Sequence, residues 1–224
     1  MRFMRSLRLA LLPCVSLLAA CQSAAIETQA AATAPIPQLS LLSSSPMPQG
    51  IPARDAPPGF ISFCSRYLDQ CVASASEPAT VHLDLPTQGV LDSVNRAVNN
   101  AIVPEDDQEH YGRAEYWNIP SDGYGNCKDY ALTKRKVLIA AGLPERALRV
   151  AIVVTARENR HAVLTVATDR GDLVLDNLSN TLKPWSDVNY RWVERQDGSG
   201  SLGWVAFDTQ VAENGAAGPT AETK

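Results

Sequence analysis

No basic stripe runs through this sequence: 20 Lys and Arg against 24 Asp and Glu leave a net charge of −4. A nucleic-acid partner calls for clustered positive charge, so that class is set aside. No internal apolar run reaches the roughly 18–20 residues that a spanning helix needs. No internal repeat is visible, which removes the stacked-repeat architectures. No histidine or further cysteine lies near Cys64 and Cys71, so that pair lacks the ligands to complete a metal site. The acidic stretch Glu105, Asp106, Asp107 and Glu109 lacks the Gly and terminal Glu of a hand-type calcium loop and reads as a solvated loop from Pro104 to Gly112. What the chain does have is material for one core, with 224 residues of which 45% are hydrophobic: a single domain with appendages.

The appendages come first. Met1 to Cys21 has Arg2, Arg5 and Arg8 in front, an apolar stretch from Leu9 to Leu18, and small residues at the end, the layout of an export signal. Leu18-Ala19-Ala20-Cys21 also resembles a bacterial lipoprotein box, which would lipidate Cys21. Ordinary cleavage nearby, for instance after Ala25, is the alternative. Gln22 after the cysteine, rather than Asp, favours the outer membrane under the usual sorting rule. Residues 22–58 are Ala, Pro, Ser and Gln with few large apolar side chains, which predicts a disordered tether with an end-to-end distance of about 30–35 Å. The folded domain is placed at 59–210, and 211–224 reads as a small, polar, disordered tail.

Five cysteines then divide. Cys14 leaves with the signal and Cys21 is the lipid candidate. Cys64 and Cys71, seven apart, pair most readily in an oxidising compartment. Cys127 is left alone, and an unpaired thiol in such a compartment calls for a reason. Its setting is Gly123-Tyr124-Gly125-Asn126-Cys127, a glycine-rich loop running into a helix predicted from Cys127 to Ala141 and stopped by Gly142 and Pro144. A helix start presents unpaired N–H groups and the positive end of the peptide dipoles, which stabilise a thiolate. Downstream stand His161 and Asp176, so the chain holds a thiol nucleophile, a base and an orienting acid in order.

The rest reads as α+β. Phe60 to Val72 is expected as a short strand or turn stapled by the disulfide. Leu91, Val94, Asn95, Val98 and Ile102 mark a helix over Thr87 to Ile102, with Asn95 and Asn99 on one side as either a solvated edge or site lining. Trp117, ten residues before the thiol, either walls a groove or packs in the core. Strand-like runs follow at Leu148–Thr155, Ala162–Thr168, Leu173–Leu175, Tyr190–Arg195 and Leu202–Phe207, and the short links between them predict an antiparallel sheet with the central helix packed on it. A two-residue turn at Arg170-Gly171 places His161 and Asp176 on one face but sets His161 opposite Asn180. A bulge or an earlier turn must close that gap of about four residues.

Tyr124 to Ala131, His161 to Leu164 and Leu173 to Asn177, in this order, resemble the bacterial transglutaminase-like cysteine proteinases from about Phe60 to Phe207. The resemblance implies a papain/transglutaminase-like fold, with Cys127 as nucleophile, His161 as base and Asp176 as its orienter. It also implies a protein substrate in the periplasm or cell envelope. The LapG-type branch of that family carries acidic residues on both sides of its thiol that take part in calcium binding. This chain has Asn126 and Lys128 there, and a lysine cannot ligate a hard cation, so no metal or other cofactor is expected. The oxyanion donor is expected to be the Cys127 backbone N–H, with Asn99 as a candidate partner. The same triad would also serve a transglutaminase or amidase. A non-catalytic periplasmic binding module and a structural envelope lipoprotein are the readings without chemistry.

Overall fold

Within the run Leu148 to Thr155, Val150 to Val154 is apolar at every position, and a strand greasy on both faces belongs at the centre of a sheet. The computed structural model, which describes residues 40–53, 55–200 and 202–207, places it there. In chain order the elements are β1 (Ile51–Pro52), α1 (Pro58–Arg66), α2 (Leu85–Ala101), β2 (Val103–Pro104), α3 (Asp107–Tyr111), β3 (Tyr124–Gly125), α4 (Cys127–Ala140), β4 (Leu148–Thr155), β5 (Arg160–Thr168), β6 (Gly171–Asp176), β7 (Ser179–Pro184), β8 (Tyr190–Gln196) and β9 (Trp204–Ala206). Seven strands form one antiparallel sheet in the order β1-β9-β8-β4-β5-β6-β7.

One face of the sheet carries the main core. Val150, Ile152, Leu164, Val166, Leu173 and Leu175 meet Leu91 of α2 and Ala131, Leu132 and Leu138 of α4. On the other face Ala151, Val153, Val163 and Val174 are covered by Trp185, Val188, Tyr190 and Trp192. Helix α2 begins at Asp84, whose carboxylate accepts the Thr87 N–H at 2.8 Å, and it buries Leu91, Asn95 and Val98. The architecture is the expected α+β arrangement, a cysteine-bearing helix on an antiparallel sheet.

Three expectations are corrected, and one strand is added. Phe60 to Val72 is not a strand or turn: α1 runs from Pro58 to Arg66 and buries Phe60, Phe63 and Cys64 at helical spacing, with a 3-10 turn at Leu68–Gln70. The Cys64–Cys71 disulfide joins the helix to that turn. Residues 40–53 and 55–58, expected within the disordered tether 22–58, are packed instead. Met47 and Ala56 are buried, Met47 N donates to Asp172 at 2.8 Å, and β1 pairs with β9. Residues 104–112 are not a plain loop, since α3 forms there and Asp107 is buried. Strand β7 was absent from the sequence reading because it is a polar edge strand with only Leu182 and Pro184 buried. The expected signal, Cys14, Cys21, the first part of the tether and the tail 211–224 lie outside the described residues.

Candidate active site

Cys127 is the first residue of α4 and the free cysteine among the described residues, partly exposed. The chain reaches it through a capping box. Asn126 is the N-cap, its Oδ1 accepting the Lys128 N–H at 3.2 Å, while Asp129 reaches back to accept the Asn126 N–H at 3.1 Å. The other Asp129 oxygen accepts the Asn118 N–H at 2.9 Å, tying the preceding loop to the helix. A Cβ at Gly125 would stand 2.7 Å from the Asp129 carboxylate, so the box closes only with glycine there. Burial drives the Asp129 pKa up to about 7 against the pull of its two N–H donors.

A second carboxylate backs the cap. Asp107, 5% exposed, accepts from Asn126 Nδ2 at 2.5 Å, Tyr116 N at 2.7 Å and Lys128 Nζ at 3.1 Å. Glu115 lies 4.0 Å from the same ammonium. Burial works against the charged Lys128, but the charges of Glu115, Cys127 and Asp107 outweigh it and raise its pKa. Of the other acids expected in a solvated loop, Glu105 contacts His110 at 2.6 Å, and Asp122 holds that ring's other nitrogen at 3.0 Å. The buried carboxylate is already occupied by an ammonium, and no cluster of three or more His, Cys, Asp or Glu among the described residues is arranged to hold a metal.

On the sheet side, β5 and β6 join through Asp169-Arg170, with Thr168 opposite Gly171 and Gly171 at φ 100°. The turn falls one residue earlier than expected. Continued, this register brings residue 178 rather than 180 opposite His161, and Asp176 becomes a diagonal neighbour that a long side chain reaches without a bulge in the β5–β6 ladder. His161 Nε2 and Asp176 Oδ1 are 2.8 Å apart, both groups buried. Asp176 Oδ1 also accepts the Leu178 N–H at 3.0 Å, and its Oδ2 accepts the Tyr190 hydroxyl at 2.5 Å. Burial opposes charge on His161, yet hydrogen bonds to Asp176 and Cys127, and their charges, raise its pKa to about 9. Burial likewise opposes charge on Asp176, and His161, Leu178 and Tyr190 overcome it to hold the carboxyl below its usual range.

The structure therefore brings Cys127, His161 and Asp176 together. Asn99 Nδ2 donates to the Asp176 and Ser179 carbonyls and to Asn180, so its amide donors are engaged at the β6–β7 turn. Asn95 Nδ2 joins it on the Ser179 carbonyl at 2.9 Å. Trp117 meets both of its readings, 2% exposed against Phe60 in the core while lining a cavity of about 70 Å³ with Cys127, Lys128, Arg160 and His161. Tyr190 was not singled out from the sequence, and Asp107 only as one of four acids in a solvated loop. Tyr190 opens a strand with no motif around it, and the Asp107 burial depends on Lys128, 21 residues later.

The profile of the bacterial transglutaminase-like cysteine proteinase family matches residues 51–212. Three solved structures of Legionella pneumophila LapG are similar. The calcium-bound form is 26% identical, covering 49% of this chain and 65% of its own, with a TM-score of 0.44. The EGTA-treated form and a third structure are 27% identical, covering 49% of this chain and 63% of theirs at the same TM-score. The alignments thus span just under two thirds of the LapG chains. Among curated proteins there is no match. With the family profile covering most of its length, the chain belongs to the bacterial transglutaminase-like cysteine proteinases.

Proposed function

We propose that this chain is an exported cysteine peptidase that hydrolyses a peptide bond in an envelope or surface protein, with Cys127 as nucleophile, His161 as base and Asp176 as orienter. The observation that carries the reading is the buried 2.8 Å contact of His161 Nε2 with Asp176, on a ring that lines one small cavity with Cys127, the first residue of a helix. With Nε2 on Asp176, Nδ1 is the ring atom left to exchange a proton with sulfur. The thiolate attacks the carbonyl carbon, and the oxyanion forms beside the first N–H of α4. His161 then gives its proton to the leaving amine, and the acyl-enzyme is released by a water that returns its proton to the ring. Asp176 stays ionised and holds the ring, supported by the hydroxyl of Tyr190.

Export and attachment through a lipidated Cys21 to the outer membrane, facing the periplasm, belong to the same proposal. The basic head, apolar middle and small-residue end of residues 1–21 support it, as does a disulfide between Cys64 and Cys71. Calcium has no part in it, because Lys128 supplies the positive charge against Asp107. The test is digestion of an envelope protein extract by wild type and by Cys127→Ala, each with EGTA and with calcium, read by mass spectrometry. New peptide termini made only by wild type, equally in both conditions, are expected. Cutting by the alanine variant removes the nucleophile assignment, amine-labelled products in place of hydrolysed ones mean acyl transfer, and loss of cutting in EGTA refutes calcium independence.

A further inference from the structure

A larger cavity, about 630 Å³, opens on the far side of His161 from the thiol. Its floor is Val174 and Asp176, its rim the β4–β5 hairpin, β7 and the segment leading into β8. Three cations line it, Arg157, Arg160 and Lys183, all exposed. The one carboxylate in the lining is Asp176, 4% exposed and already engaged by His161, Leu178 and Tyr190. Arg160 has a 3.7 Å contact with the buried Glu194, but no ion pair among the described residues engages Arg157 or Lys183. The lining is thus opposite in sign to the chain's net charge of −4.

Arg160 and His161 line this cavity and also the small one that contains Cys127. A peptide with its carbonyl at the sulfur, continued past Arg160 in extended form at about 3.3 Å per residue, enters the basic cavity within a few residues. Resting on the peptidase reading, we propose that Arg157, Arg160 and Lys183 select protein substrates that carry an acidic segment a few residues from the scissile bond. Carboxylates set there meet guanidinium groups able to bind them bidentately.

The test separates binding from cleavage. Fluorescein-labelled hexaglutamate and hexaglutamine are titrated by anisotropy against the full-chain Cys127→Ala protein, with and without Arg157→Gln/Lys183→Gln, two positions that line neither the thiol cavity nor the triad contacts. Hexaglutamate is expected to bind about tenfold more tightly than hexaglutamine, and the double substitution to remove most of that preference. Equal binding of the two peptides, or a preference untouched by the substitutions, overturns the proposal. In parallel, a complex peptide mixture is digested by wild type and by Arg157→Gln/Lys183→Gln. Wild-type sites are expected to be enriched in Asp and Glu on one side of the cut, and the variant to cut without that enrichment. Absence of any Cys127-dependent cutting, with hexaglutamate still bound, refutes the peptidase and supports the acidic-peptide site. Cutting with no acidic enrichment does the reverse.

Discussion

On one side of the Cys127 sulfur, Asp107, Asn126, Lys128 and Asp129 come from a stretch of little more than twenty residues, joined by a helix cap and a buried ion pair. On the other side, His161, Asp176 and Tyr190 come from three strands, and nothing but the register of the sheet makes them neighbours. The capping box is local chemistry that forms with the first turn of α4, and the ion pair ties it to α3. The other side exists only after the sheet has closed, and a slip of one residue in β6 would send Asp176 to the opposite face. The placement of the Cys127 thiol is thus robust, while the His161–Asp176 pair depends on the packing that fixes that register, including Asn95 and Asn99 on the β6–β7 turn.

The largest effect in breaking the comparison is expected on the sheet side. Asp176→Asn should lower turnover by about 10²- to 10⁴-fold, since an amide holds the ring in the wrong tautomer. It should also move the alkaline limb of kcat/KM. His161 is charged up to about 9 because Asp176 and Cys127 outweigh its burial, so removal of the carboxylate shifts loss of activity to lower pH. An unmoved limb would remove Asp176 from the pair. The same sign governs stability: the His161 contribution is complete below its ordinary 6.5 and fades as pH rises through about 9. That of Asp176, whose pKa is lowered, holds at neutral pH and is lost in acid.

On the helix side the expected effect is on folding. Asp107→Asn leaves the Lys128 ammonium buried without its carboxylate, and urea unfolding should show a loss of about 3 kcal/mol. Adding Lys128→Met should return most of it, as replacement of both charges by an apolar group of similar size is tolerated. Failure of the second change to recover stability would mean that Asp107 acts through Asn126 and the Tyr116 backbone, not through the ion pair. A smaller effect is expected of Tyr190→Phe, which removes one donor from Asp176: about a fivefold to tenfold loss of turnover, with the acid limb moved up in pH because the carboxylate is less well held. No movement of that limb would leave Tyr190 with a packing role.

The same division explains what the sequence disclosed. Loop, cap and helix at 123–140 were legible because capping is a matter of residues three apart, and β4 because six of its eight residues, all but Arg149 and Thr155, are apolar. His161 and Asp176 were identified as types in order, but their contact turned on a hairpin turn placed one residue too late. Helix α1 was hidden by Cys64 and the nearby Cys71, whose closeness suggested a turn although Phe60, Phe63 and Cys64 already follow helical spacing. Residues 40–58 looked unable to fold because Met47, Ala56 and the Ile51–Pro52 strand find their partners more than a hundred residues away or deep in the core. Asp107 looked solvated because the lysine that lets a carboxylate be buried belongs to another element.

The central claim is that one imidazole, held by Asp176, governs the reactivity of the Cys127 thiol. Its most direct test is the rate of Cys127 alkylation against pH in wild type and in His161→Ala, with folding checked by circular dichroism. The account predicts rapid alkylation below neutral pH in wild type and a loss of at least about tenfold there in the variant. Superimposable profiles would contradict it.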